Sequence, residues 1–463
     1  MKKSREWIQS IISNPLYGLL VILVILTLAN SWFRGFDHDE LEAIHTAWKM
    51  AAGEVIYVDF FQHHNPLFYY VLEPFLWVFS DDTSVLRIAR LFMFTMYAAV
   101  LFVTYKLALL VLKERRDALL SVVVLAGTTY FFDKAIEVRP DVPQVLFGLM
   151  SIYWMFLYFD KRKLMYALLS GVSLGISFLF LQKAIFLILI IGLILARRLF
   201  NRSMPVQEFF YYWLAFAATV LPYALYLLLN DQFSTYITFN WLLNMKFSHT
   251  FSPVSGVLAI YQKNTLVWLF FIVGVACMEK GVMREILFLV LALMGSLLMV
   301  KAPYPQYYMM FLPLVAVVAA LGARRMFQYP VHYGIAAVVA SALPIFVLAT
   351  QVVLKNNSKE LAKIEYVRSN TKPDDFIYDG EIYFNLFRRD IDYFWFSVRP
   401  GVGGLATYQS ITPYSYDVYE SIRKYKPALI SLNYLDKDMP IIKNNYFQSD
   451  KYPDLWLRKS SDS

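Results

Sequence analysis

The chain has 463 residues, 58% of them apolar, 17% aromatic and only 17% charged, with a formal net charge of +8. Soluble globular domains carry about 25% charged residues, so this composition excludes an ordinary soluble enzyme and predicts a membrane protein. The positive charge does not point to nucleic acid, because it lies in short loops between apolar runs, and the single Cys277 excludes an intrachain disulfide and a thiolate metal cluster.

From residue 15 to residue 354, apolar segments able to cross about 30 Å of hydrocarbon as helices alternate with short polar breaks. Their predicted centres are Leu23, Met96, Val123, Phe147, Leu174, Ile190, Ala218, Phe270, Leu291, Val315 and Val339, which makes eleven spans. The first lacks a small-residue cleavage pattern and reads as a retained helix.

The loop after it, 37–82, opens with Asp37-His38-Asp39-Glu40-Leu41-Glu42. Leu41, Ile44, Ala47, Trp48 and Ala51 recur at helical spacing, predicting an amphipathic helix on the membrane surface with carboxylates at its positive end. For one carboxylate, Asp37 or Asp39, helix capping, worth about 1 kcal/mol, is the alternative explanation. Several at the mouth of an apolar bundle mark a functional site, because ionisable groups are costly near hydrocarbon. A second surface helix is predicted from Pro66, after Gln62-His63-His64-Asn65, with Leu67, Tyr70, Val71, Pro74 and Phe75 facing the membrane. Adjacent histidines point apart on any regular element, so His63 or His64 would join Asp39 or Glu40 around a divalent cation, or else bond backbone and headgroups.

Between the third and fourth spans, Pro140 and Pro143 stiffen the chain around Glu137, Arg139 and Asp141. Arg139 offers a fixed fork suited to phosphate; the alternative is an ion pair with Glu137 or Asp141. Lys183 interrupts the apolar stretch 164–195. A lysine in mid-membrane costs about 2.5–3.5 kcal/mol, so it belongs at a ligand-filled or aqueous end, or snorkels to headgroups. Lys301, Tyr304, Gln306, Tyr307 and Tyr308 open the tenth span; belt aromatics account for each tyrosine singly, leaving Lys301 as a candidate phosphate contact.

After Lys355 the composition turns polar, and 355–463 reads as a small α/β domain. Strands are expected at 375–378, 427–432 and 454–457, helices at 382–387 and 416–425, and a turn at 400–404. Basic residues follow the even-numbered spans and precede the first: Lys2, Lys3 and Arg5, then Lys113, Arg115 and Arg116, Lys161 to Lys163, Arg197, Arg198 and Arg202, Lys280 and Arg284, Arg324 and Arg325. The positive-inside rule puts these in the cytoplasm, with the N-terminus, and puts the candidate loops and the C-terminal domain outside.

Asp39-Glu40, His63-His64-Asn65-Pro66-Leu67-Phe68-Tyr69, Arg139-Pro140-Asp141, Lys183-Ala184 and the stretch from Tyr307 to Pro313 occur in that order. This series resembles the GT-C superfamily of glycosyltransferases that use polyprenyl-phosphate sugars, in the branch of protein O-mannosyltransferases and of lipid A aminoarabinose and galacturonic acid transferases. Two positions depart from it: His63-His64-Asn65-Pro66 stands where the aminoarabinose transferases have Glu-Lys-Pro-Pro, and Ala184 replaces a glycine. The resemblance implies an all-α polytopic bundle with outer juxtamembrane helices in residues 1–354, plus a small α/β domain in 355–463. It implies a polyprenyl-phosphate-sugar donor, a hydroxyl acceptor and a role in cell-envelope glycosylation or lipopolysaccharide modification.

On that reading Asp39 is the general base and Glu40 orients it or the acceptor. Arg139, Lys183 and Lys301 neutralise the leaving phosphate, and His63, His64, Glu137, Asp141, Gln306 and Tyr307 line the substrate site. A divalent cation would be held by Asp39, Glu40 and His63. A non-enzymatic carrier or flippase of lipid-linked sugars is the alternative, although the inverted or parallel repeats common in transporters are not visible here.

Overall fold

The computed structural model describes residues 15–247, 252–278, 281–300, 304–326 and 330–459, without the side chains of 253, 257, 260, 261 and 330–341. The chain divides into two compact units, one of residues 1–34, 90–225 and 250–355, the other of 35–89, 226–249 and 356–463. Residues 356–463 thus share their unit with residues 35–89 and 226–249.

The main helices in chain order are α1 (Pro15–Phe33), α2 (His38–Ala51), α3 (Leu67–Val78), α4 (Ser84–Leu112), α5 (Arg115–Ala126), α6 (Thr129–Lys134), α7 (Asp141–Lys161), α8 (Leu164–Phe180), α9 (Ile185–Phe200), α10 (Val206–Leu229), α11 (Thr265–Ala276), α12 (Val282–Ser296), α13 (Leu312–Met326), α14 (Pro330–Leu354), α15 (Ser358–Ser369), α16 (Gly403–Ile411) and α17 (Val418–Tyr425). Each of the eleven expected centres lies in a helix. Among the described residues, five segments are long and apolar enough to cross a membrane: α1, α4, α7, α10 and Val282–Met299.

In the first unit, small residues let the helices approach closely. A Cβ on Gly322 of α13 would lie 1.9 Å from the Phe270 carbonyl oxygen of α11, and one on Gly274 would lie 2.1 Å from that of Val318. The α7–α8 pair is closed by hydroxyls: Ser170 Oγ donates to the Ser151 carbonyl at 2.7 Å and Ser177 Oγ to that of Gln144 at 2.8 Å. Such contacts are what hold helices together in lipid, where tails compete for apolar surface. At the end of α1, buried Arg34 pairs with Asp133 at 2.7 Å and Glu137 at 3.0 Å, and Lys134 also reaches Glu137. That network fixes the segment leading to Arg139.

The second unit holds a five-stranded sheet ordered β2-β1-β3-β5-β4, built from β1 (Phe376–Tyr378), β2 (Arg389–Asp390), β3 (Leu429–Ser431), β4 (Tyr446–Gln448) and β5 (Leu455–Arg458). β1 pairs in parallel with β2 and β3; β5 is antiparallel to β3 and β4. Three strands and α17 match the sequence expectation. The helix expected at 382–387 is absent, and its place is taken by a loop. There Asp379 Oδ2 accepts the N–H groups of Tyr383, Phe384 and Asn385, and Ile382 sits at φ +68°, a side-chain competition that diverts the backbone from a helix.

Helix α2 also differs from a half-exposed surface helix. Glu42, His45, Thr46 and Lys49 on its polar face are buried along with Leu41, Ile44 and Ala47. The reason is a partner the local pattern cannot show: Asp390 of β2 accepts His45 Nε2 at 2.8 Å and Lys49 Nζ at 2.9 Å through one oxygen, and Asn385 Nδ2 at 2.9 Å through the other. Burial opposes charge on Asp390, but Lys49 and His45 hold its carboxyl below the usual range. Removing one member of a buried ionic cluster typically costs about 3–5 kcal/mol. Asp390→Ala should lower stability by that order, read as a fall in the denaturation midpoint of the purified protein in detergent.

Candidate active site

The start of α2 is a hook made from its own sequence. Asp37 is the N-cap: its side chain accepts the Asp39 N–H at 3.2 Å, while Glu40 Oε1 accepts the Asp37 N–H at 2.9 Å, a reciprocal capping box. Glu40 is thus fully buried and acts on its neighbours through the backbone, whereas Asp39 keeps a part-exposed carboxylate. His38 Nε2 lies 2.9 Å from Asp39 Oδ1, and Nδ1 lies 3.5 Å from Asp37 Oδ1. Two further carboxylates face this imidazole electrostatically, Glu42 of α2 and Glu381 of the loop after β1.

Glu42 is held in place by Gln62, whose Nε2 donates to Glu42 Oε1 at 2.9 Å and to Thr46 Oγ1 at 3.0 Å. Burial pushes its carboxyl up to about 7, against the opposing pull of Gln62 and His38. Gln62 Oε1 also accepts the His63 N–H at 2.7 Å. The His63 ring stacks on Phe61 and Phe396, with centroids at 5.9 and 5.7 Å, and lies 4.0 Å from the ring of His64. Among the described residues, the three side chains that come together as possible metal ligands are Asp37, His38 and Asp39, within 4.8 Å of one another. Asp39 is the member shared with the expected set of Asp39, Glu40 and His63.

The cationic candidates gather in the first unit. Pro140 precedes α7, whose first residue, Asp141, accepts Arg139 Nε at 3.2 Å, so Arg139 is tied to Asp141 and Glu137 is instead tied to Arg34 and Lys134. Lys183 sits in the 3-10 turn between α8 and α9, its Nζ 3.4 Å from the centroid of the Tyr307 ring. Asp141, Gln144, Lys183, Ser296, Gln306 and Tyr307 line one partly open cavity whose remaining wall is apolar, including Phe186, Leu187, Leu293, Leu297 and Phe311. The structure therefore brings together Lys183, Asp141, Gln306 and Tyr307, with Arg139 linked through its ion pair; Lys301 lies outside the described residues. Gln144 lies one turn into α7, and only the fold shows that it lines the cavity with Lys183. Glu42 belongs to the carboxylate cluster of the motif, whereas His38 carries no role in the sequence reading.

Desolvation lowers the Lys183 ammonium to about 7, with Arg139 acting in the same direction and Asp141 opposing. An anion in the cavity would favour the charged form, so binding takes up a proton wherever the free lysine is neutral. Affinity for a phosphodiester, whose own charge is constant over this range, should be flat below pH 7 and fall by up to tenfold per unit above it. Lys183→Arg, always charged, should bind with a flat profile. Titration calorimetry between pH 6 and 9, with a farnesyl methyl phosphodiester as probe, measures both.

Residues 63–223 match the family model described as dolichyl-phosphate-mannose-protein mannosyltransferase. No curated protein matches the chain by sequence. Among solved structures, ArnT from Cupriavidus metallidurans bound to undecaprenyl phosphate is similar, with a TM-score of 0.72 at 10% identity over 98% of each chain. The same protein in its apo state gives 0.70 at 11% identity, again over 98% of each chain. At such identity the likeness is one of fold, and this chain has that fold. The GT-C resemblance read from the ordered motifs is borne out by the family match and the shared fold.

Proposed function

We propose that the chain is an integral-membrane inverting glycosyltransferase that moves a sugar from a polyprenyl-phosphate donor to a hydroxyl of a lipid, glycan or protein acceptor. It has eleven spans in this reading, with the N-terminus cytoplasmic, the chemistry and the C-terminal segment extracytoplasmic, and the whole in a plasma or bacterial inner membrane. The observation that carries the proposal is the cavity of the first unit, where Lys183 and the Arg139–Asp141 pair meet an apolar wall. A phosphate attached to a long apolar chain satisfies both surfaces at once.

Asp39, held with its carboxylate partly exposed, removes the acceptor proton as the acceptor oxygen attacks the anomeric carbon. The bond from that carbon to the phosphate oxygen breaks, and the electrons leave with the lipid phosphate, stabilised by Lys183 and Arg139. Single displacement inverts the anomeric centre. Glu40 fixes the hook, and Gln306, Tyr307, Asp141 and the His63–His64 pair shape the surroundings of donor and acceptor. A divalent cation, expected at Asp39, Glu40 and His63, would find Asp37, His38 and Asp39 as its holders and would supply electrostatic stabilisation.

General-base catalysis is worth about 10²–10⁴-fold. Asp39→Asn should lower turnover by that order while leaving donor binding within about twofold, because it removes a group used only in the transition state. The measurement is acceptor-dependent release of polyprenyl phosphate from a panel of polyprenyl-phosphate sugars by protein in nanodiscs. Binding without release across the panel would favour a carrier of lipid-linked sugars.

A further inference from the structure

Gly35, Phe36 and Asp37 connect α1 to α2 without secondary structure of their own. The backbone there is held by carboxylates at successive points: the Asp37 N–H by Glu40, the Asp39 N–H by Asp37, and the Phe36 N–H by Glu360 Oε2 at 2.8 Å. The first two arise within the hook. The third comes from α15, more than three hundred residues away in sequence and in the same compact unit. Its approach depends on the neighbouring glycine, since a Cβ on Gly35 would lie 3.3 Å from Glu360 Oε1. α15 is itself anchored at its start, where buried Asn357 accepts Arg87 Nη2 at 3.1 Å. Farther along α2, the Asp390 cluster holds His45 and Lys49.

We propose that Glu360 is a positioning residue for the base Asp39, and that the C-terminal segment completes the catalytic apparatus by clamping the hook where the chain leaves α1. The inference rests on the role given to Asp39 above. A carboxylate-to-amide hydrogen bond is charge-assisted and therefore among the stronger ones. It fixes the backbone one residue before the N-cap, so its loss lets the whole capping box shift. Displacement of a catalytic group by about 1 Å can lower a rate on the order of a hundredfold without altering substrate affinity. Glu360 is not among the residues that line the cavity proposed to take the donor phosphate, so its loss is expected to act on turnover and not on donor capture.

The test compares the unsubstituted protein with Glu360→Ala, Glu360→Gln and Gly35→Ala in nanodiscs, reading kcat and donor KM from acceptor-dependent release of polyprenyl phosphate. Glu360→Ala should lower kcat about tenfold to a hundredfold with donor KM within about twofold. Glu360→Gln should recover most of the loss, because its amide oxygen accepts the same N–H. Gly35→Ala, which crowds the carboxylate, should lower kcat partly on its own and add little in the Glu360→Ala background, as expected of two changes at one contact. Should Glu360→Ala fail to fold, the glutamine and Gly35→Ala variants carry the same comparison. Equal loss in the alanine and glutamine variants, parallel changes in kcat and KM, or full turnover in all variants would overturn the positioning role alone. No release by the unsubstituted protein with any donor would overturn the transferase reading on which it rests.

Discussion

A charge placed at the border of hydrocarbon needs a partner, and this requirement shapes both units. The chain has few charged residues for its length, and those at its candidate site are bound in pairs or small networks. Arg139 is matched by Asp141, Arg34 by Asp133 and Glu137, and Asp390 by His45 and Lys49. Such pairing adds little net stability compared with apolar packing, because desolvation offsets much of the attraction. What it does supply is a defined place for each group. Functional charges can then be held at fixed positions without being neutralised by their surroundings.

The two halves of the proposed chemistry solve that problem differently. Asp39 stands at the positive end of a helix, in a backbone fixed by Asp37 and Glu40, with His38 beside it. Its carboxylate is partly open. Lys183 is instead desolvated against Tyr307, which lowers its ammonium to about 7. An anion beside such a group favours its charged form, which suits the proposed departure of a lipid phosphate.

The helices of the membrane region were legible because their signal is local and one-dimensional: the eleven expected centres fall in helices, five of which among the described residues are long and apolar enough to span. The start of α2 was legible for the same reason, since Asp37 and Glu40 have the spacing of a capping box. What the sequence could not show was which long-range partner each polar group takes. Arg139 had Glu137 and Asp141 equally near in sequence; in the fold it pairs with Asp141, while Arg34 and Lys134 pair with Glu137. The polar face of α2 read as solvent-facing because Asp390 lies far along the chain. The loop at 382–387 escaped for a subtler reason: its apolar spacing suits a helix, and only the Asp379 side chain, taking three consecutive N–H groups, forbids one.

These long-range partners also explain why the C-terminal segment shares a compact unit with residues 35–89. A helix that carries the proposed base at its first turn has its remaining length free to serve as a handle, and α2 uses its polar face this way. Glu42 meets Gln62 on the same loop, while His45 and Lys49 reach across to β2, and Phe36 ahead of the helix reaches α15. Each contact buries polar atoms that lipid could not satisfy, so a surface-lying helix with this sequence would be unstable without a protein cover. The cover therefore does more than shield the loop. By meeting the helix at its leading end and at its buried face, it restrains both translation along the helix axis and rotation about it, the two motions that would displace Asp39 from its place in the proposed reaction.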